Sequence, residues 1–306
     1  MKAETSVRIA GHEVAITRPG KILFPKDGIT KGELIHYYER IAPLMLPYLE
    51  GRPLVLQRFP DGIDKPGFIQ KAAGAYYPAW IKTARVKKAG GTVRHVVADD
   101  AATPVYLANQ GCVTLHPWLS RVDDINCPDQ MVFDFDPSRD DDLAGVVAAA
   151  LMLKDVLDRL ELPAYVKATG SRGVHVVVPL DGLQDFDAMR AFARQLAGVV
   201  VDRDTGRYTL EQRKDKRHGR VLIDVNRNAY AQTAVATYSV RARPGAPVSV
   251  PLEWSELRKK SFRPDAFTLR NVFDRLEKTE DPWKDFRRDA ASLKAAAPKL
   301  EKLHAA

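Results

Sequence analysis

One stretch, residues 131–137, constrains the fold of this chain more than any other. It is apolar through Phe133, carries aspartates at positions 134 and 136, and ends at Pro137. An apolar run with β-branched and aromatic residues is typical of a buried strand. Because side chains alternate faces along a strand, Asp134 and Asp136 should point the same way. The stretch therefore predicts a central strand with two carboxylates on one face.

This pair of carboxylates is a candidate metal site. Two carboxylates so close together resist ionising at the same time. A divalent cation removes that penalty, and hard oxygen ligands suit Mg²⁺ or Mn²⁺. The alternative is a strand end whose aspartates cap the following helix, which the acidic residues 140–142 would begin.

A glycine-rich turn follows about forty residues later. Gly170, Ser171, Arg172 and Gly173 precede an apolar strand that carries His175 just inside its start. The two glycines would let backbone amides approach an anion, and Arg172 could add a bidentate contact. A histidine in an apolar strand needs a partner, because burying it unpaired is costly. Together with the Asp-x-Asp strand, the turn predicts a pocket for a nucleotide and a metal ion.

A third carboxylate lies on another apolar strand. The dense basic run at residues 213–220 leads directly into residues 221–225, where Asp224 interrupts an aliphatic sequence. Asp224 would supply the third carboxylate of a two-metal site. The basic run by itself is also typical of a solvated hairpin. Residues 238–244 read as a further strand that ends in two arginines, Arg241 and Arg243, suited to phosphate.

The N-terminal part offers a candidate phosphate site. Residues 6–17 read as a hairpin, and Thr30 with Glu33 forms a capping-box pattern that opens a helix to about Leu49. Lys21 and Lys31 bracket the turn before this helix, a position suited to holding a phosphate. The alternative is that both lysines are simply solvated.

Residues 52–95 interleave cations with rings, as a nucleic-acid groove requires, although several hairpins with ordinary core aromatics would give the same composition. Arg58, Phe68 and Lys71 belong to this segment. Thr103 and Pro104 read as the cap and first residue of a short helix. Further along, His116 by itself is more typical of a structural histidine.

Composition agrees with a soluble protein that binds a polyanion. The 306 residues carry a formal charge of +8, and no run is apolar enough to span a membrane. We expect a cytoplasmic, nucleoid-associated protein. The two cysteines, Cys112 and Cys127, lack the spacing of a zinc site and read as reduced core thiols.

Three ordered motifs resemble those of the archaeo-eukaryotic primase superfamily, and more closely the polymerase domain of bacterial ligase D. They are the strand with Asp134 and Asp136, the turn from Ser171 to His175, and Asp224 on its apolar strand. The resemblance implies an α/β fold: a mixed central sheet with an RNA-recognition-like catalytic core and an N-terminal α/β part. It also implies template-dependent nucleotidyl transfer that prefers ribonucleotides, with NTP or dNTP as substrate.

The resemblance also implies roles for individual residues. Asp134, Asp136 and Asp224 would hold the metals. The incoming triphosphate would be faced by Ser171, Arg172 and His175, with His116 near the ribose. Lys21 and Lys31 would receive the 5′-phosphate of the downstream strand, and Phe68 would stack on the template. The remaining contacts to template or phosphates would come from Arg217 or Arg220, with Arg241. Where the family often has an aromatic pair, this chain has Phe68 followed by Ile69.

From these motifs and the resemblance we expect one domain and a defined set of partners. Residues 1–306 would form a single primase-polymerase domain with lobes at 1–125, 126–260 and 261–306. A monomer would act on DNA ends and on gapped or template-primer DNA, with a Ku-like end-binding protein and a separate ATP-dependent DNA ligase. The alternatives are a free-standing primase, a haloacid-dehalogenase-type phosphatase with a similar Asp-x-Asp strand, and a DNA-end-binding module without catalysis.

Overall fold

The computed structural model describes residues 5–139 and 142–305. They form two compact units. The first comprises residues 5–123, 235–249 and 267–273, and the second comprises the described residues of 124–234, 250–266 and 274–305. No helix in these ranges is long and apolar enough to cross a membrane.

Strands and helices alternate along the described chain. The strands are β1 (Thr5–Ile9), β2 (His12–Ile16), β3 (Ile22–Phe24), β4 (Ile29–Thr30), β5 (Pro53–Arg58), β6 (Phe68–Gln70), β7 (Thr83–Lys88), β8 (Gly91–Val97), β9 (Cys112–Pro117), β10 (Ser120–Arg121), β11 (Asp124–Pro128), β12 (Gln130–Asp136), β13 (Tyr165–Ala168), β14 (Val174–Pro179), β15 (Tyr208–Thr209), β16 (Val221–Asp224) and β17 (Val250–Leu252). The α-helices are α1 (Lys31–Leu49), α2 (Ala102–Asn109), α3 (Leu143–Arg159), α4 (Phe186–Arg203), α5 (Trp254–Leu257), α6 (Val272–Leu276) and α7 (Leu293–Ala305).

The second unit is built on a mixed sheet. Its strand order is β15-β16-β12-β14-β13-β17, with β15 and β16 parallel and every other neighbouring pair antiparallel. Strand β12 lies between β14 and β16, and its residues from Met131 to Phe135 are all buried. Helices α3 and α4 pack on this sheet. The prediction that residues 131–136 form a central strand is thus confirmed.

Helix α3 is capped at its start and packs on this sheet through a periodic apolar face. Asp142 caps it by accepting a hydrogen bond from the backbone N–H of Gly145 at 2.9 Å. Val146, Ala149 and Leu153 are fully buried and repeat with helical spacing. The acidic residues at positions 140 and 141 lie outside the described residues.

The first unit carries an antiparallel sheet in which β5 pairs with β6, β8 and β9, and β8 also pairs with β7. The hairpin predicted at residues 6–17 is present as β1 and β2. Helix α1 spans Lys31–Leu49 and begins with the predicted capping box between Thr30 and Glu33. It continues through Pro43 and Pro47.

Two local predictions are wrong. Helix α2 begins at Ala102, and the carboxylate of Asp100 accepts the N–H of Thr103 at 2.8 Å, so Thr103 is not the cap. Residues 238–244 do not form a strand either. Tyr238 has a φ of +65° in a turn, and its carbonyl accepts the hydroxyl of Tyr37 at 2.7 Å. This tertiary contact outweighs the β-propensity of the segment.

Candidate active site

The register of the mixed sheet brings three polar side chains together. On β12, Asp134 lies directly opposite His175 of β14 on one side and Asp224 of β16 on the other. Residues directly opposite each other in antiparallel strands project to the same face. Asp136 lies opposite Leu222, two residues along that face. The carboxylates predicted to act together therefore lie on adjacent strands and share a face.

Burial makes it energetically costly for these carboxyl groups to ionise. Asp134 and Asp224 are each 8% exposed. Burial and then the neighbouring charge of Asp134 raise the pKa of Asp136 to about 6, although nearby arginines, Arg172 first, act against the rise. Because ionising these clustered carboxyl groups is unfavourable, binding of a cation between them is favoured.

His175 packs against Asp134 rather than facing solvent. Its Nε2 lies 3.3 Å from Oδ1 of Asp134, and the residue is 4% exposed. Burial lowers the pKa of His175, although the carboxylate of Asp134 opposes the change. A neutral imidazole that donates from Nε2 orients this carboxylate. Its Nδ1 has no hydrogen-bond partner among the described residues.

Three residues that the sequence analysis did not assign surround the carboxylates. The side chain of Gln212 donates to Oδ1 of Asp224 at 3.2 Å, and the backbone N–H of Asn226 donates to the same oxygen at 2.8 Å. Arg227 places Nε 3.6 Å from Oδ2 of Asp134 and 3.9 Å from Oδ2 of Asp224. Its guanidinium thus bridges the two carboxylates. For Asn226 and Arg227 the only signal in the sequence was a polar segment directly after the apolar strand, and nothing local singled out Gln212.

The turn after β13 is held tightly against the central strand. A side chain at Gly173 would put a Cβ 1.9 Å from the carbonyl oxygen of Phe135, so only glycine fits there. The backbone N–H of Gly170 donates to the carbonyl of Pro264 at 3.0 Å and is already engaged. Ser171 and Arg172 at the tip are half-buried. The glycines therefore shape the turn, and Ser171 and Arg172 are its polar side chains.

The basic loop between β15 and β16 is braced by its own arginines. Arg217 donates to the carbonyls of Glu211 at 3.1 Å and Gln212 at 2.8 Å. Arg220 donates to the carbonyl of Arg217 at 2.9 Å. The positive charge of Arg217 also opposes the rise in the pKa of Asp136, which shows that it acts on the carboxylates. Both guanidinium groups thus order the loop beside the site.

The other predicted nucleotide contacts belong to the first unit. His116 lies on β9 opposite Val55 and is half-buried. Arg241 lies in the loop that replaces the predicted strand, and its backbone N–H donates to the carbonyl of Pro247 at 2.7 Å. Their roles toward a nucleotide stay predictions.

A basic aromatic surface lies at the end of β5. Arg58 donates to the side chain of Gln70 at 2.7 Å and to the hydroxyl of Tyr76 at 3.1 Å, and its guanidinium lies 5.3 Å from the ring centre of Phe68. Phe68 is 47% exposed and Tyr76 is 62% exposed. Lys71 is exposed nearby along the chain. Two accessible rings thus flank one ordered cation, and the sequence analysis assigned only the first of them.

The two lysines predicted to bind a 5′-phosphate differ in accessibility. Lys31 is 5% exposed, and its ammonium donates to the hydroxyl of Thr17 at 3.0 Å and to the carbonyl of Asn109 at 3.1 Å. Lys21 pairs with Asp61 at 2.7 Å, and that carboxylate is 73% exposed. A phosphate could replace an exposed carboxylate more readily than it could reach a buried ammonium. Of the two lysines, Lys21 is therefore the more accessible cation.

The chemistry of the carboxylate donors is compatible with a metal ion. Among the described residues, however, no group of three or more Asp, Glu, His or Cys side chains is already arranged so that it could hold one. Oxygen donors from Asp134, Asp136 and Asp224 are those that Mg²⁺ and Mn²⁺ prefer. The guanidinium of Arg227 shows that a cation is accommodated between two of them. The raised pKa of Asp136 points the same way.

Comparisons with known proteins identify the family of the chain. Similar proteins include the multifunctional non-homologous end joining protein LigD of Mycolicibacterium smegmatis, 29% identical over 270 residues that cover 88% of this chain and 35% of that protein. LigD of Pseudomonas aeruginosa is 30% identical over 290 residues, covering 91% and 33%. The bifunctional LigD of Bacillus subtilis is 29% identical over 274 residues, covering 89% and 44%. The chain thus spans less than half the length of these relatives.

A solved structure is similar over nearly the whole chain. It is the polymerase domain of Mycobacterium tuberculosis ligase D in complex with DNA, with a TM-score of 0.85 and 27% identity, and the match covers 91% of this chain and 99% of that one. This similarity confirms the predicted α/β class. The sequence profile of the LigD primase-polymerase domain matches residues 30–283. The chain therefore belongs to the LigD primase-polymerase domain family, a family of nucleotidyltransferases, as its three motifs predicted.

Proposed function

We propose that this chain adds nucleotides, preferably ribonucleotides, to DNA ends or gaps under the direction of a template strand. The observation that carries the proposal is the direct pairing of Asp134 with Asp224 on adjacent strands, with Asp136 on the same face. Polymerases of this kind need carboxylates clustered at one point of a rigid sheet. The substrate class and the setting of DNA end joining are inferred from the relatives.

In this proposal Asp134, Asp136 and Asp224 hold Mg²⁺ or Mn²⁺. When bound, such ions activate the attacking hydroxyl and neutralise charge on the transferring phosphate. His175 keeps the carboxylate of Asp134 in place through Nε2. Gln212 and the backbone of Asn226 do the same for Asp224. These contacts preorganise the site, because the carboxylates of Asp134 and Asp224 are already oriented before substrate arrives.

Substrate binding is assigned to the polar side chains that the family resemblance implies. Ser171 and Arg172, at the tip of the turn after β13, would contact the triphosphate, with Arg241 as a further cation. His116 would contact the ribose, as the family resemblance implies. A site that hydrogen-bonds a hydroxyl rejects the analogue that lacks it, which would account for a preference for ribonucleotides.

DNA binding is assigned to three groups of residues. Phe68 and Tyr76 offer exposed rings for stacking on the template, with Arg58 and Lys71 for its phosphates. Arg217 and Arg220 would contact the template from the basic loop. For a downstream 5′-phosphate, Lys21 is the proposed contact, and Lys31 is proposed to support the turn from beneath.

The same reasoning sets the proposed partners. The similar proteins are named for non-homologous end joining, and the chain matches only part of each. We therefore propose that it acts at broken DNA ends with a Ku-like end-binding protein and an ATP-dependent DNA ligase.

Extension of a primer across a short gap tests the proposal. With Mn²⁺ and one nucleotide at a time, the incorporated base should follow the template base in the gap, and ribonucleotides should be used better than deoxyribonucleotides. The preference should shrink in His116→Ala, whose side chain is assigned to the ribose, while deoxyribonucleotide use is kept. Ser171→Ala, at a residue assigned to the triphosphate, should weaken the use of both. Addition that ignores the template, or release of phosphate without extension, would contradict the proposal.

A further inference from the structure

An open groove lies along α3, beside the helix face that is buried in the unit. It has a volume of about 410 Å³. One wall is α3, where Leu143, Val147 and Leu151 follow each other at intervals of four residues and stay half-buried. The other wall contains Leu257 and Phe262. The groove therefore has an aliphatic and aromatic floor with helical spacing along one side.

The side chains of α3 that form this floor are not those that the helix buries against the rest of the unit. The residues that α3 buries in the unit are others, including Val146, Ala149 and Leu153, which are 0% exposed. The half-buried stripe lies beside them on the helix. None of the catalytic carboxylates lines the groove. A ligand here would leave the candidate active site open.

Four cations crowd one side of the groove. Arg258, Lys259, Lys260 and Arg263 all line it, and all are exposed. None of the four forms an ion pair with a carboxylate of the described residues, whereas nearby Arg275 is paired with Glu256 at 2.8 Å. The groove thus combines an apolar floor with an exposed cationic rim, in which Lys259 lies close enough to Glu256 to help lower the pKa of that carboxyl.

We propose that this groove docks an acidic amphipathic helix of a partner protein. Recognition of a helix in a groove uses apolar anchors at spacings of three and four residues, which the floor can receive. Acidic side chains flanking those anchors would meet the cationic rim, which steers association and selects the partner. Apart from Phe262 the floor is aliphatic and offers no polar group to a base or a phosphate, so a peptide matches both the floor and the rim, whereas the phosphates of DNA match only the rim. This role goes beyond nucleotide transfer and does not depend on it.

The test uses a synthetic helical peptide with leucines at i, i+4 and i+7 and glutamates between them, against a scrambled peptide of the same composition. Binding to the full chain is measured by fluorescence anisotropy, and hydrogen exchange locates the contact. The rim variant is Lys259→Glu with Lys260→Glu, and the floor variant is Val147→Gln. The matched control, Lys294→Glu with Lys302→Glu, changes the charge equally at two exposed positions of α7.

We expect the designed peptide to protect α3 from exchange and to bind the rim and floor variants at least about ten-fold more weakly than the control. Primer extension, measured in parallel, should stay unchanged in all variants, which separates this proposal from the proposed activity. The proposal is overturned if the peptide does not bind, if the scrambled peptide binds equally well, or if the rim variant loses single-stranded DNA binding while it keeps the peptide.

Discussion

Replacing Arg227 with glutamine should tighten the binding of Mn²⁺ to the protein. The Nε of Arg227 lies 3.6 Å from Asp134 and 3.9 Å from Asp224, where it neutralises the carboxylates that we assign to the metal. A metal ion must compete with this guanidinium. Removing it leaves two buried carboxylates without their internal cation, so the metal-free protein should also become less stable.

The size of the effect follows from the geometry. Two unit charges about 4 Å apart interact by ~4 kcal/mol at an effective dielectric constant near 20, and by ~1 kcal/mol in bulk water. Because the side chain of Arg227 is 42% exposed, the lower part of this range applies. We expect an effect of about 1–2 kcal/mol, which corresponds to roughly ten-fold tighter Mn²⁺ binding.

The assay is a titration with Mn²⁺ in the absence of DNA and nucleotide, followed by calorimetry or by the paramagnetic resonance of the free ion. The matched control is Arg190→Gln, because Arg190 donates to the side chain of Asn226 at 2.8 Å and makes no ion pair with the carboxylates among the described residues. Unchanged or weaker Mn²⁺ binding in Arg227→Gln than in Arg190→Gln would refute the reasoning. Urea unfolding should show the loss of stability without metal and its recovery with metal.

Three further perturbations address pH, strand ends and the template. Burial alone would raise the pKa of Glu256, but hydrogen bonds from Arg275 and from the backbone of Glu253 lower it below the ordinary value of 4.5. The ionised carboxyl therefore stabilises the folded state above that pH, and this stabilisation is lost on acidification. Urea unfolding should therefore show Glu256→Gln destabilised by about 1.5 kcal/mol at neutral pH, with the difference from wild type shrinking below that value; a constant difference would contradict this. Lys21→Ala should abolish a roughly ten-fold affinity preference for a gapped duplex with a 5′-phosphate over one without it, and a preserved preference would exclude this residue. Tyr76→Ala should weaken template-primer binding about ten-fold in anisotropy titrations and Tyr76→Phe should not, whereas equal losses would show that the hydroxyl matters and stacking does not.

Features set by local periodicity were predictable from the sequence. The apolar run before Asp134 could only be a buried strand, and alternation put Asp136 on the same face. Helix α1 was bounded correctly because the capping box between Thr30 and Glu33 is a local signal.

Features set by long-range pairing were not predictable. Nothing local fixes the register that places Asp224 directly opposite Asp134. The position of Arg227 depends on the short 3-10 helix Asn226–Asn228 that follows β16. The turn at Tyr238 depends on its contact with Tyr37, about two hundred residues earlier in the chain. Burial of Lys31 likewise requires Thr17 and Asn109 to converge on its ammonium.

The central claim is that the carboxylates joined across β12 and β16 carry out templated nucleotide addition. Asp224→Asn tests it most directly, with Asp215→Asn as control, because Asp215 is exposed and pairs with Arg213 at 2.8 Å in the adjacent loop. On a gapped duplex with Mn²⁺ and ribonucleotides, Asp224→Asn should lose at least ~100-fold in single-turnover extension and keep its affinity for the DNA. Asp215→Asn should extend like the wild type. Near wild-type, template-directed extension by Asp224→Asn would contradict the account.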